Sequence, residues 1–270
     1  MSLPILNVHH ASNEDLIRYF YRTELHWTRN LAEETVLEFG TAFANRQIPT
    51  TYIANRMFDV ALPEGMTPEQ AMEEAQAHFA QAGTTCWSWV MAPTSDPERR
   101  RVMVDHLVSQ GYVERSFNIM HLASMPSGKV DEVAGLTIIP ARASFKHYRA
   151  LAEEWAGEFR TKDFADAVMM QLDDPHVDSL LAIKDGRAAA FVAVLAAGDI
   201  GGVQELFVTK NFRGQGIGRT MMSRAMEICA RSLFRHVFVG VHSDNAAAMK
   251  LYSHFGFRKI GQFVYYRSPQ

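Results

Sequence analysis

The sequence predicts an α/β fold with a mixed sheet flanked by helices, built from one large unit or two small ones. Short runs rich in β-formers alternate with amphipathic helical stretches through all 270 residues. Asp178–Lys184 and Arg187–Ala197 flank Asp185-Gly186, a type I′ turn signal that makes two strands antiparallel neighbours. Val203–Thr209 alternates apolar and polar residues, passes through a glycine-rich turn, and enters a helix in which Met222, Ala225, Met226 and Cys229 share one face.

Taken in order, Asn13–Trp27 and Leu31–Asn45 read as helices, and Tyr52–Leu62 as a strand ended by Pro63-Glu-Gly65. Thr67-Pro68-Glu69-Gln70 combines a threonine cap, a proline at the first helical position and a glutamine closing a capping box, so a helix runs to about Ala82. Thr85–Met91 is a strand, Glu98–Ser109 a helix, and Tyr112–Leu122 one or two strands; Ser124–Lys129 reads as a linker. In the second half Leu136–Ile139 is a strand, and Phe145–Phe159 and Phe164–Leu172 are helices before the hairpin. His236–His242, a helix over Ala246–Phe255 and one or two strands over Phe257–Arg267 close the chain.

Composition narrows the function. The chain is 47% hydrophobic and 21% charged, ordinary for a globular protein, and its net charge of −3 supplies no field for nucleic acid. Cys86 and Cys229 lie in apolar segments, which reads as buried thiols in a reducing compartment. The N-terminus lacks a signal-peptide pattern, and the longest charge-free apolar run, Ala188–Gly198, is too short to span a bilayer. The expected location is cytoplasmic. No histidine or cysteine spacing points to a metal.

The glycine turn carries the chemistry. A helix start has backbone N–H groups without internal partners and a partial positive charge, and Gly214, Gly216 and Gly218 remove the side chains that would hold a phosphate away. Arg213 and Arg219 flank it. A Walker loop would need Lys-Ser/Thr after the last glycine, and a dinucleotide fingerprint would need G-x-G-x-x-G; neither occurs here.

The stretch resembles the acyl-CoA motif of the GNAT acetyltransferase superfamily, R/Q-x-x-G-x-G/A, met by Arg213, Gly216 and Gly218. The order of elements from about Leu136 to Arg267 matches that family. The resemblance implies a mixed, mostly antiparallel twisted sheet and a direct transfer of acetyl from acetyl-CoA to an amine. It implies that Gly214, Gln215, Gly216, Ile217, Gly218 and Arg219 hold the pyrophosphate with Arg213. It further implies that a bulge on the preceding strand exposes the N–H groups of Leu206, Phe207 and Val208 to the thioester and pantetheine. Asn245-x6-Tyr252 has the family's spacing for a CoA-contacting asparagine and a general-acid tyrosine, the alternative being an N-cap and a core tyrosine. Many relatives place a glutamate where this chain has Gly240, so Glu205 becomes the first candidate base and His242 the second.

The halves resemble each other. Val90–Asp96 aligns with Val239–Asp244 and Gly111-Tyr112 with Gly256-Phe257, so residues 1–125 read as a degenerate GNAT-like or accessory unit, in tandem with a catalytic unit over 135–270. With one glycine and an acid in Pro63–Thr67, the first half should not bind CoA there. The expected partner is a small-molecule or peptide amine, with no nucleic acid, membrane or metal. Trp155, Phe159, Arg160, Asp173, Asp174 and His176 lie where such folds set specificity. A CoA-binding sensor or assembly module without catalysis is the competing reading, and the oligomeric state, a homodimer included, stays open.

Overall fold

The computed structural model describes residues 11–123, 133–159 and 163–269. The linker expected at Ser124–Lys129 and Arg160 both lie outside the described residues.

The first half begins with helix α1 (Asn13–Arg29), started by a reciprocal capping box between Ser12 and Asp15. Where a second helix was expected over Leu31–Asn45, the chain forms the hairpin β1 (Glu33–Leu37) and β2 (Gly40–Ala44). Leu31, Thr35 and Phe39 fall at helical spacing, but Thr35, Leu37 and Phe39 also alternate at the period of a strand, and β-branched Thr35 and Val36 favour extension. Gly40 is required there: a Cβ would come within 3.1 Å of the Phe58 carbonyl oxygen. The strand predicted over Tyr52–Leu62 shrinks to β3 (Arg56–Val60), because fully buried Asn55 organises a turn before it. The Asn55 amide donates to the Ile48 and Thr51 carbonyls at 2.9 and 3.1 Å, and its oxygen accepts from the Asn45 N–H at 2.8 Å. Helix α2 (Pro68–Gln81), strand β4 (Ser88–Met91), helix α3 (Pro97–Ser109) and strand β5 (Val113–Leu122) complete this half.

The second half runs β6 (Leu136–Pro140), α4 (Phe145–Phe159), α5 (Phe164–Met170), β7 (Val177–Lys184), β8 (Arg187–Ala197) and β9 (Ile200–Val208). It continues through α6 (Ile217–Arg231), β10 (His236–His242), α7 (Ala246–His254) and β11 (Phe257–Arg267). The β7–β8 turn places Asp185 and Gly186 at φ +51° and +74°, as a type I′ turn demands.

All eleven strands form one mixed sheet in the order β1-β2-β3-β4-β11-β5-β10-β9-β8-β7-β6. Two pairs, β3–β4 and β9–β10, are parallel; the rest are antiparallel. The two halves repeat one scheme: two antiparallel strands and a third, a helix, a strand parallel to the third, another helix and a last strand. Those last strands are exchanged. β5 of the first half lies between β10 and β11 of the second, and β11 pairs onward with β4. A non-glycine residue sits at φ +56° at the same place in each copy, Asp59 in β3 and Glu205 in β9.

Helix α1 lies across the junction. Phe20 meets Phe117, Phe238 and Phe263 edge-on at centroid separations of 5.8, 6.1 and 6.0 Å, so strands from both halves share one aromatic core. No described helix is long and apolar enough to cross a membrane.

Candidate active site

Strands β9 and β10 run parallel only from Ile200/His236 to Val203/Val239. Beyond Val203 the strand β9 keeps β8 on one side and, among the described residues, has no strand partner on the other, so the sheet opens there. The opening coincides with a bulge: Phe191 faces Phe207 and Ala193 faces Gln204, leaving Glu205 and Leu206 opposite Val192 alone. The bulge turns Glu205 into the left-handed region, which for a non-glycine residue costs of order 1 kcal/mol or more and is sustained by the surroundings. Leu206, Phe207 and Val208 follow along the open edge.

After β9, Lys210–Phe212 makes a single 3₁₀ turn and Gly214 and Gly216 adopt φ +77° and +83°. Gly216 is the N-cap of α6, and no side chain caps this helix. The N–H groups of Ile217, Gly218 and Arg219 therefore end the helix without capping partners, the arrangement a pyrophosphate requires. Space around Gly214 is open, while Gly218 packs against Val208 and Leu251. Gln215 and Arg219 are exposed beside the turn. Arg213 is engaged differently from a free anion clamp. Its guanidinium donates to the Val208 carbonyl and to Glu158 at 2.8 and 2.7 Å and lies over the Phe207 ring, so it braces the turn against α4.

The equivalent helix start in the first half is closed. Thr67 accepts from the Gln70 N–H at 3.3 Å, Gln70 returns a bond to the Thr67 N–H at 2.9 Å, and Pro68 has no N–H. The donors a phosphate would need are already satisfied or missing.

Glu205 lines a cleft of about 190 Å3. One orientation of the buried Gln171 amide satisfies its surroundings. The nitrogen donates to both Glu205 oxygens at 2.9 and 2.8 Å, and the oxygen accepts from the Trp27 indole N–H at 3.2 Å. A residue of α1 thus orients, through Gln171, a carboxylate on β9. Burial raises the Glu205 carboxyl well above the usual carboxylate range, with the Gln171 bond opposing in part. Glu24, on α1, lines the same cleft; burial raises its carboxyl too, against the lowering effect of Arg56. Arg56 is almost completely buried, donates to the Glu24 carbonyl at 3.3 Å and to the Thr28 hydroxyl, and keeps its Nε without a partner among the described residues.

The walls are aromatic and come from both halves. Tyr52 and Tyr265 stack at 5.5 Å and 7°, with the Arg267 guanidinium 4.9 Å from the Tyr52 ring centre. Trp155 on α4 meets Phe164 on α5 at 4.8 Å. Gly240 and His242 of β10 also line the cleft. Gly240 has a structural reason: a Cβ there would come within 2.9 Å of Phe117 and 3.4 Å of Phe20. The exchanged strand β5 brings Phe117 into the space a glutamate at this position would fill.

Asn245 is the N-cap of α7, its side-chain oxygen accepting from the Ala248 N–H at 3.1 Å. Tyr252 is buried, and desolvation pushes its phenol up to about 12. It belongs to the core cluster that includes Val239 and Val241 of β10, a cluster against which Leu206 and Val208 of β9 also pack. Cys229 is buried in the same cluster. Asp174 and His176 fall outside the cleft: Asp174 accepts from the His176 N–H at 2.8 Å and lies 3.5 Å from His26 of α1, tying the halves together. The cleft residues Glu24, Trp27, Tyr52 and Arg56, and Gln171 that holds Glu205, are not among the sequence-derived candidates. Glu24 offered the signal, being a charged residue on the buried face of α1 with Phe20, Thr23 and Trp27.

Residues 145–257 match the Acetyltransferase (GNAT) family, so the second half carries a GNAT acetyltransferase domain. Over 90 residues the chain is 28% identical to a Bacillus subtilis protein assigned as a ribosomal-protein alanine N-acetyltransferase, covering 33% of this chain and 60% of that one. Over 109 residues it is 29% identical to the rat N-acetylaspartate synthetase, covering 40% and 36%. The matches thus span 60% and 36% of the length of these relatives, less than two thirds of either. A GCN5-related N-acetyltransferase from Kribbella flavida shares the fold at a TM-score of 0.64 and 17% identity, over 93% of this chain and 95% of that one. A tandem GNAT protein from the clavulanic acid pathway shares it at 0.54 and 13%, over 86% and 80%.

Proposed function

We propose that the protein is an acetyl-CoA-dependent N-acetyltransferase whose acceptor cleft is built jointly by the two halves, with Glu205 as general base and Tyr252 as general acid. The observation that carries this reading is Glu205 itself. A strained, Gln171-held carboxylate lines an aromatic cleft, on the strand whose free edge leads to the uncapped glycine turn. The N–H groups of Ile217, Gly218 and Arg219 would bind the pyrophosphate of acetyl-CoA, and the open edge of Leu206–Val208 its pantetheine arm by strand-like pairing. Asn245 stands at the head of α7, where the family's spacing puts a CoA contact.

The reaction needs a neutral amine, a polarised carbonyl and a protonated leaving thiolate. Glu205 takes a proton from the ammonium, directly or through a water, and its raised affinity for protons brings it closer to the working pH. The nitrogen lone pair then attacks the thioester carbon and the C–S bond breaks as the C–N bond forms. Backbone N–H groups at the bulge stabilise the developing oxyanion. The Tyr252 hydroxyl gives its proton to the departing sulfur, the acylated nitrogen gives up its second proton to water in the cleft, and that proton makes good the tyrosinate while the proton held by Glu205 is released to solvent as the one net proton of the reaction. The products are an N-acetyl amine and CoA. The acceptors of the relatives, an aspartate amine and a ribosomal-protein alanine, share only the amine with what this site demands.

Release of free thiol from acetyl-CoA, followed across a panel of amines, tests the reading. A second reading follows from Gly240, which leaves the family's usual base position empty: a module that binds CoA without turnover. It predicts calorimetric binding of CoA and no thiol release with any amine.

A further inference from the structure

The cleft is small, aromatic and electrically balanced, and these three properties together select its occupant. Its volume of about 190 Å3 exceeds only modestly the roughly 150 Å3 that holds one benzene in an apolar protein cavity. It admits one flat ring and a short tail, with its mouth open to solvent. Trp155 and Phe164, packed edge to face at 4.8 Å, form one wall, and the stacked pair Tyr52–Tyr265 another. Rings present edges and faces to a third ring at low cost, whereas a flexible polar chain would strip its water against them without replacement.

The charges discriminate further. The carboxylates are Glu24 and Glu205, and the cations are Arg56 and Arg267. Arg56 is buried beside Glu24 and is the main charge acting on it, whereas Glu205 is held by the neutral Gln171 amide, so Glu205 is the carboxyl left to receive an amine. Arg267 is drawn over the Tyr52 face. A second ammonium on the same substrate would therefore meet no second free carboxylate and would approach Arg267 or Arg56 instead. His242 is the remaining titratable group on the lining apart from the tyrosines.

We propose that the acceptor is a small primary monoamine carrying one aromatic ring on a short linker, the ring lodged among Trp155, Phe164, Tyr52 and Tyr265 and the nitrogen at Glu205. The inference rests on the acetyltransferase reading above and specifies its substrate class. The nitrogen is acetylated by the same attack on the thioester, its proton going to Glu205 and the acetyl–sulfur bond breaking to give CoA.

The experiment has two readouts on the full chain. Thiol release from acetyl-CoA is measured with 2-phenylethylamine and tryptamine against n-butylamine, putrescine, L-aspartate and a peptide with an N-terminal alanine. The expected kcat/KM is about 100-fold higher for 2-phenylethylamine than for n-butylamine, the scale set by burying a ring against apolar walls. Trp155→Ala and Phe164→Ala should each shrink that ratio several-fold. Binding of 2-phenylethylamine to the CoA-loaded protein is measured by calorimetry. Equal or better turnover of butylamine, putrescine, aspartate or the peptide overturns the aromatic assignment and leaves acetyl transfer standing. Failure of the loaded protein to bind 2-phenylethylamine also overturns it. Absence of acetyl-CoA binding altogether overturns the acetyltransferase reading itself.

Discussion

Replacing Glu205 by glutamine keeps the size of the side chain at the bulge and removes its ability to accept a proton. Loss of a positioned general base costs about 10²–10⁴-fold in rate, or roughly 3–5 kcal/mol of transition-state stabilisation. The upper part of that range applies if the new amide also disturbs the Trp27–Gln171 contact. Gln171 now offers its NH2 to both Glu205 oxygens, and an amide at 205 can accept only through its single oxygen. The pH dependence has a definite sign. Because burial raises the Glu205 carboxyl, the wild-type rate should climb with pH through a value above the ordinary 4.5, and the variant should lose that limb. Stability runs the other way. A carboxyl whose folded pKa is raised contributes stability that is present below its unfolded pKa and lost as pH rises through the folded value. Glu205→Gln should therefore gain in melting temperature relative to wild type between pH 5 and pH 8. Thiol-release kinetics and thermal melts at both pH values decide it. A variant retaining more than about a tenth of wild-type kcat, or the same acid limb, would refute the role given to Glu205.

Four further outcomes follow. Tyr252→Phe should lower kcat about 10- to 1000-fold with little change in acetyl-CoA affinity by calorimetry, since the ring still fills the buried cluster. Asn245→Ala removes the acceptor for the Ala248 N–H and should cost about 0.5–2 kcal/mol in denaturant unfolding. Gly240→Ala forces a methyl within 2.9 Å of Phe117 and should destabilise by about 1–3 kcal/mol, with Phe117→Leu in the same chain recovering part of the loss. Residues 1–123 and 133–270 co-expressed as separate chains should co-purify, because β5 lies between β10 and β11; recovery of two independent monomers would contradict the strand exchange.

What could be read from the sequence was local. The Thr67–Gln70 capping box, the Asp185-Gly186 turn, and the helix Phe145–Phe159 appear where the residues place them, since each depends on interactions within a few positions. The hairpin at Glu33–Ala44 is not legible locally, because Leu31, Thr35 and Phe39 suit a helical stripe as well as a strand and Gly40 is held there by β3, a tertiary neighbour. The exchange of β5 and β11 joins strands more than a hundred residues apart, which no local pattern records. The cleft suffered the same limit. Glu205 could be named from its place on β9, but Gln171, Trp27, Tyr52 and Arg56 become site residues only because α1 and the Asn55-built turn fold across the second half. Arg213 shows the converse, a residue whose type suits an anion but whose guanidinium is engaged by Glu158 and the Val208 carbonyl.

A crystal structure of the full chain with acetyl-CoA tests the central claim most directly. The account predicts the pyrophosphate on the backbone N–H groups of Ile217–Arg219, the pantetheine along Leu206–Val208, and the acetyl carbon at the mouth of the cleft within a substrate's reach of Glu205. A pyrophosphate bound elsewhere, or an acetyl group directed away from the cleft that Tyr52, Trp155 and Glu205 line, would contradict it.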